Sequence, residues 1–135
     1  FRRVRRSDAL MQTAEDLVKM VHLEDAMQVK VSNLSYGQQR QLEIAMALSG
    51  APRFILFDEP AAGLSPTERA DLVTLLTDLP SHIGFIIIEH DMDVALRVAE
   101  RVTMMHNGRI FKEGRPAEIE NDEEVQALYL GGGHA

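Results

Sequence analysis

The run Phe54-Ile55-Leu56-Phe57, followed at once by Asp58, Glu59 and Pro60, constrains this chain more than any other segment. Four unbroken apolar residues lack the alternation of a half-exposed strand. The pattern fits a strand covered on both faces, as in a parallel sheet. Two adjacent carboxylates close it, at the carboxyl end, which is where ligands bind in open α/β sheets. A second buried run, Gly84–Ile88, leads into Glu89 and His90. Segments of helical period lie before, between and after these runs. Strands alternating with helices predict the α/β class with a mainly parallel sheet.

The helices announce themselves by stripe and cap. Ala9–Val21 carries Leu10, Ala14, Leu17 and Val21 on one face. His22–Leu34 reads as a polar connector with a short helical turn near Glu24–Met27. A second helix is expected from about Gly37 to Ser49, with Leu42, Ala45 and Met46 inward, ended by Gly50 and Pro52. After the loop Ala61–Leu64, Ser65, Pro66 and Glu68 give an N-cap, a first-turn proline and a capping-box acid. That helix turns Leu72, Leu75, Leu76 and Leu79 inward and stops before Pro80. Asp91 can cap a helix that packs Val94, Leu96, Val98 and Ala99. Asn107-Gly108 between Val102–Met105 and Ile110–Lys112 predicts a hairpin. Pro116–Leu130 is expected to form one or two helices, and Gly131–Gly133 a mobile tail.

Composition narrows the function classes. The net charge of −7 argues against a general nucleic-acid binder, whose footprint would be basic. The cluster Arg2, Arg3, Arg5 and Arg6 is read as a solvated helix face or a cut end. With 45% hydrophobic residues in 135, the chain can build a core. It has no cysteine, which removes disulfides and thiolate metal sites. The apolar runs are too short to cross a bilayer, so any membrane role is expected to come through a partner. No glycine is followed by lysine, so the G-x-x-x-x-G-K-[ST] phosphate loop is missing. That absence, with Phe1 at the start, leads us to expect a fragment.

Three groups of residues carry chemistry. Asp58 and Glu59 point in different directions because neighbours along a strand do. One suits Mg²⁺, a hard cation that takes oxygen ligands. The other suits a water facing a γ-phosphate. Ser35 and Gly37, in Leu34–Arg40 (LSYGQQR), lie at a helix start, where free N–H groups and the helix dipole favour anions. Gly37 allows a phosphate close to the backbone. A capping box of Ser35 with Gln38 is compatible with that use. His90 falls near the carboxylates if the two strands are neighbours, and there it is placed to sense a γ-phosphate.

Together these segments resemble the ATPase subunit of ABC transporters. LSYGQQR looks like its signature motif and FILFDEP like its Walker B strand with the catalytic glutamate. AAGLSP matches the D-loop position and IIIEHD the switch histidine. Tyr36 stands where many members have glycine, and Ser65 where many have aspartate. The strings YGQQRQLEIAMAL, EPAAGLSPTE and YLGGG look like the branched-chain amino acid importers, with urea and amide importers close by.

The resemblance implies a P-loop NTPase fold. Residues 1–50 would end a helical subdomain, 51–115 form the core ATPase part, and 116–135 the C-terminal helices and tail. It implies ATP and Mg²⁺ as ligands, with Glu59 and His90 catalytic and Asp58 holding Mg²⁺ through water. Ser35, Gly37 and Gln38 would touch ATP held by a second ATPase subunit, and Gly63 and Leu64 belong to the D-loop. Partners would be that second subunit, membrane permease subunits and, indirectly, a solute-binding protein. The location implied is the cytoplasmic face of the membrane. A non-transport ABC ATPase and a non-catalytic module are the alternatives.

Overall fold

The computed structural model describes residues 8–130. Helix α1 (Asp8–Met20) is followed by 3₁₀ turns at Glu24–Ala26 and Val31–Asn33, inside the predicted connector. Then come α2 (Tyr36–Leu48), β1 (Phe54–Asp58), α3 (Pro66–Thr77), β2 (Gly84–Ile88) and α4 (Met92–Val98). The hairpin strands β3 (Val102–His106) and β4 (Arg109–Gly114) precede α5 (Pro116–Glu120) and the short α6 (Glu123–Val125). A π-helical turn spans Gln126–Leu130. The arginine cluster and the glycine tail lie outside the described residues.

Strands β1 and β2 pair in parallel, Phe54 with Gly84 through Asp58 with Ile88. The register puts the carboxyl ends of both strands side by side. Ile55 and Phe57 point into the main core with Leu72, Val73, Leu75 and Leu76 of α3, Ile44, Ala45 and Leu48 of α2, and Val21, Leu23 and Val94. This core is continuous across residues 50 and 51.

Cover on both faces, expected from the unbroken apolar run, is not found among the described residues. Leu56 is 74% exposed and Ile88 62%, with Phe54 and Ile86 beside them. Among the described residues the helices that build the core meet one face of the sheet, through Ile55 and Phe57 of β1 and the partly buried Phe85 and Ile87 of β2. An apolar run reports that a strand can be buried on two sides, not that a second layer is present.

The stripe on α2 is also corrected. Gly37, Ile44, Ala45 and Leu48 are buried, whereas Met46 is 67% exposed. Helical period alone allowed either stripe. The capping box fixes where the helix starts, and the seat against α3 fixes its rotation. Leu10 in α1 likewise faces outward, at 64% exposure.

The caps are as the sequence predicts. Ser35 Oγ accepts from the Gln38 N–H (3.2 Å) while Gln38 Oε1 accepts from the Ser35 N–H (2.9 Å). Ser65 and Glu68 repeat the arrangement on α3. Asp91 Oδ1 accepts from the Val94 N–H at the start of α4. Asn107 (φ 49°) and Gly108 (φ 74°) make the expected hairpin turn, both in the left-handed region. The pairing slips between Met104 and Met105, leaving Phe111 as the extra residue of a bulge. A second small core of Met104, Ile119 and Val125 fastens the hairpin to the C-terminal helices. Lys112 Nζ meets Asp122 there at 2.6 Å.

Candidate functional site

Two groups of predicted residues come out in two different places. The first sits at the carboxyl ends of β1 and β2. Asp58 is the last residue of β1 and is exposed. Glu59 leaves the strand with φ 44°, in the left-handed region that costs a non-glycine residue about 1–2 kcal/mol. Its N–H still donates to the Ile88 carbonyl (2.8 Å), so it stays tied to the neighbouring strand. A strained residue held by a sheet bond is the kind of feature that clusters at functional sites.

The parallel register carries His90 to the same edge. His90 Nδ1 lies 3.6 Å from Glu59 Oε1. That is slightly long for a hydrogen bond. Both side chains are more than half exposed. A carboxylate beside an imidazole, open to solvent at a sheet edge, can orient and deprotonate a water.

Among the described residues no three His, Asp or Glu converge as a metal cage. Asp58 therefore offers a single exposed carboxylate. Such a donor fits Mg²⁺, which keeps several waters and binds one or two carboxylates together with substrate phosphates.

The second group lies at the start of α2. Ser35, Gly37, Gln38 and Gln41 line a cleft of about 60 Å³ with Leu64, Glu68, Asp71 and Leu72. Here the structure adds a residue that sequence reading used only as a cap. Glu68 Oε1 accepts from the Gly37 N–H (2.9 Å) and the Ser35 hydroxyl (3.2 Å). Its other oxygen accepts from the Ser65 N–H and hydroxyl, each at 2.9 Å. The Ser65 N–H, the Ser65 hydroxyl and the Gly37 N–H, in that order of weight, hold its pKa down at about 2. The expected anion seat is thus occupied by the chain's own carboxylate. A Cβ on Gly37 would stand 2.6 Å from Glu68 Oε1, so glycine is what lets the anion in.

The two residues expected in the D-loop, Gly63 and Leu64, divide. Gly63 has φ 76°, and a Cβ there would sit 3.2 Å from Tyr36 Cε1, so the loop needs glycine for conformation and for the Tyr36 ring. Leu64 is buried at 4% and packs in the core. Sequence reasoning also passed over Glu89. Its oxygens accept from the N–H groups of Ala61, His90 and Asp91, linking the loop after β1 to the loop after β2. Nothing local marks it, since its main partner is 28 residues away.

Comparison with known proteins gives a consistent picture. A family model described as ABC transporter matches residues 2–62. The high-affinity branched-chain amino acid transport ATP-binding protein LivG of Salmonella typhimurium is 39% identical over 133 residues, 97% of this chain and 51% of that protein. The lipopolysaccharide export system ATP-binding protein LptB of Acidithiobacillus ferridurans is 39% identical over 118 residues, covering 87% of this chain and 49% of that one. The ADP conformation of MJ1267, an ATP-binding cassette of an ABC transporter, superposes with a TM-score of 0.80 at 29% identity, over 97% of this chain and 54% of that one. The chain spans about half the length of the curated relatives it matches.

Proposed function

The chain belongs to the ATP-binding subunits of ABC transporters and has the α/β fold of their cassettes; from that premise we propose that the whole protein hydrolyses ATP to drive import of a branched-chain amino acid or a similar polar solute. The observation that carries the hydrolytic reading is Glu59 and His90 meeting at 3.6 Å on the ends of neighbouring parallel strands. Glu59 takes the proton of the attacking water and aims it at the γ-phosphorus. His90 holds the γ-phosphate and steadies the Glu59 carboxylate. Asp58 would hold Mg²⁺, which supplies charge neutralisation to the phosphates.

Ser35, Gly37 and Gln38 serve a different ATP, one held by a second ATPase subunit. The anion seat suits a phosphate because it already takes a carboxylate, that of Glu68. Gly63, in the loop beside Tyr36, sets the D-loop against the same neighbour. Permease subunits anchor the pair at the cytoplasmic face of the membrane. A solute-binding protein delivers the cargo from the other side.

Import is favoured by relatives named for branched-chain amino acid transport, LivG and BraF, that match 97% of the chain. Export stands second, because a protein named for lipopolysaccharide export is equally identical over a shorter span. Purification of the whole protein with its native permease tests the assignment. ATP turnover stimulated by a solute-loaded binding protein supports import. Turnover insensitive to any binding protein but stimulated by lipid refutes it.

A further inference from the structure

The hydrolytic pair has little to hold it. The Glu59 and His90 side chains are both more than half exposed and meet at 3.6 Å. Their geometry must then come from the backbone that bears them. For Glu59 that backbone is the end of β1 and the turn closed by the Ala62 N–H to the Glu59 carbonyl (3.1 Å). For His90 it is the loop after β2.

One side chain fixes both. Glu89 Oε1 accepts from the N–H of Ala61 at 2.7 Å, inside the turn that Glu59 starts. Glu89 Oε2 accepts from the N–H of His90 and of Asp91, each at 3.1 Å. A second strut runs in parallel: Arg69 Nη1 meets Asp91 Oδ2 at 2.6 Å while Arg69 Nε donates to the Leu64 carbonyl at 3.1 Å. The loop that follows Glu59 and the loop that holds His90 are thus bolted at two points. Only the first bolt touches the main chain of His90 itself.

We propose that Glu89 is a positioning residue for ATP hydrolysis, clamping the D-loop to the switch-histidine loop so that Glu59 and His90 share one geometry. This rests on the reading of Glu59 and His90 as the hydrolytic pair. The clamp needs a carboxylate. Both oxygens face N–H donors, so an amide in its place presents NH₂ to one of them and leaves that arm unmade. Aspartate is shorter by one methylene and cannot span both arms from the same backbone. Misplacement of reacting groups by about 1 Å is worth on the order of 100-fold in rate.

The test is Glu89→Gln and Glu89→Asp in the whole subunit, read by ATP turnover and by amide hydrogen exchange. The clamp predicts a fall in kcat on the order of 100-fold with KM for ATP within about twofold, since neither phosphate nor base contacts are removed. It predicts faster exchange at Ala61, or at His90 and Asp91, with the β1 amides as protected as before. Unchanged kcat with unchanged exchange overturns the proposal. So does exchange that rises throughout β1, which would make Glu89 a folding residue. If the unmodified subunit shows no turnover, the function proposed above fails, and the exchange pattern alone decides whether Glu89 is the clamp.

Discussion

Leu75 and Leu56 separate what the sequence suggests from what the fold does. Both look like core residues, one on the inner stripe of a helix and one in mid-strand. In the structure Leu75 is fully buried, at 0% exposure, whereas Leu56 is 74% exposed. Truncation to alanine removes roughly three methylene equivalents, about 2.4 kcal/mol by transfer. At Leu75 an unfilled cavity adds to this, giving about 3 kcal/mol. At Leu56 only about a quarter of the side chain is covered, so the loss is about 0.6 kcal/mol. With a urea slope of about 1.5 kcal/mol/M, Leu75→Ala shifts the midpoint by about 2 M and Leu56→Ala by about 0.4 M. Urea unfolding of the 135-residue chain, followed by far-ultraviolet circular dichroism, measures both. Equal shifts would show that the second face of β1 is covered, and the one-sided sheet described above would be wrong.

Two further outcomes follow from local geometry. Ala51 closes α2 with φ 47°, a conformation glycine adopts freely, so Ala51→Gly should raise stability by about 0.5–1 kcal/mol in the same unfolding assay; a destabilised variant would contradict the strained cap. Glu68, with its pKa lowered to about 2, favours the fold fully above the ordinary carboxylate value of 4.5, and that contribution fades as pH falls toward 2. Melting temperatures between pH 5 and pH 2 should therefore fall less steeply for Glu68→Gln than for the unmodified chain, and parallel curves would count against the capping network.

What could be read from the sequence was local. Both capping boxes, the Asn107-Gly108 turn and the carboxyl-terminal placement of Asp58 are decided by residues within three or four positions of one another, and they stand as expected. His90 was legible only conditionally, because its nearness to Glu59 depends on β1 and β2 being neighbours. Met46 and Leu56 were misplaced because hydrophobicity states what can be buried and not which partner layer is present. Glu68 and Glu89 escaped as site residues for a related reason. Their decisive acceptor bonds reach Gly37 and Ala61, 31 and 28 residues away, and no spacing rule joins them.

On the proposed reading, Glu59 activates water for attack on ATP. The most direct test of that reading is Glu59→Gln in the whole subunit, with ATP affinity and single-turnover hydrolysis measured side by side. The substitution keeps size and a hydrogen-bonding oxygen but removes the base. ATP affinity should stay within about twofold while hydrolysis falls by at least about 100-fold, the low end of what general-base catalysis contributes. Hydrolysis at the unmodified rate would contradict it.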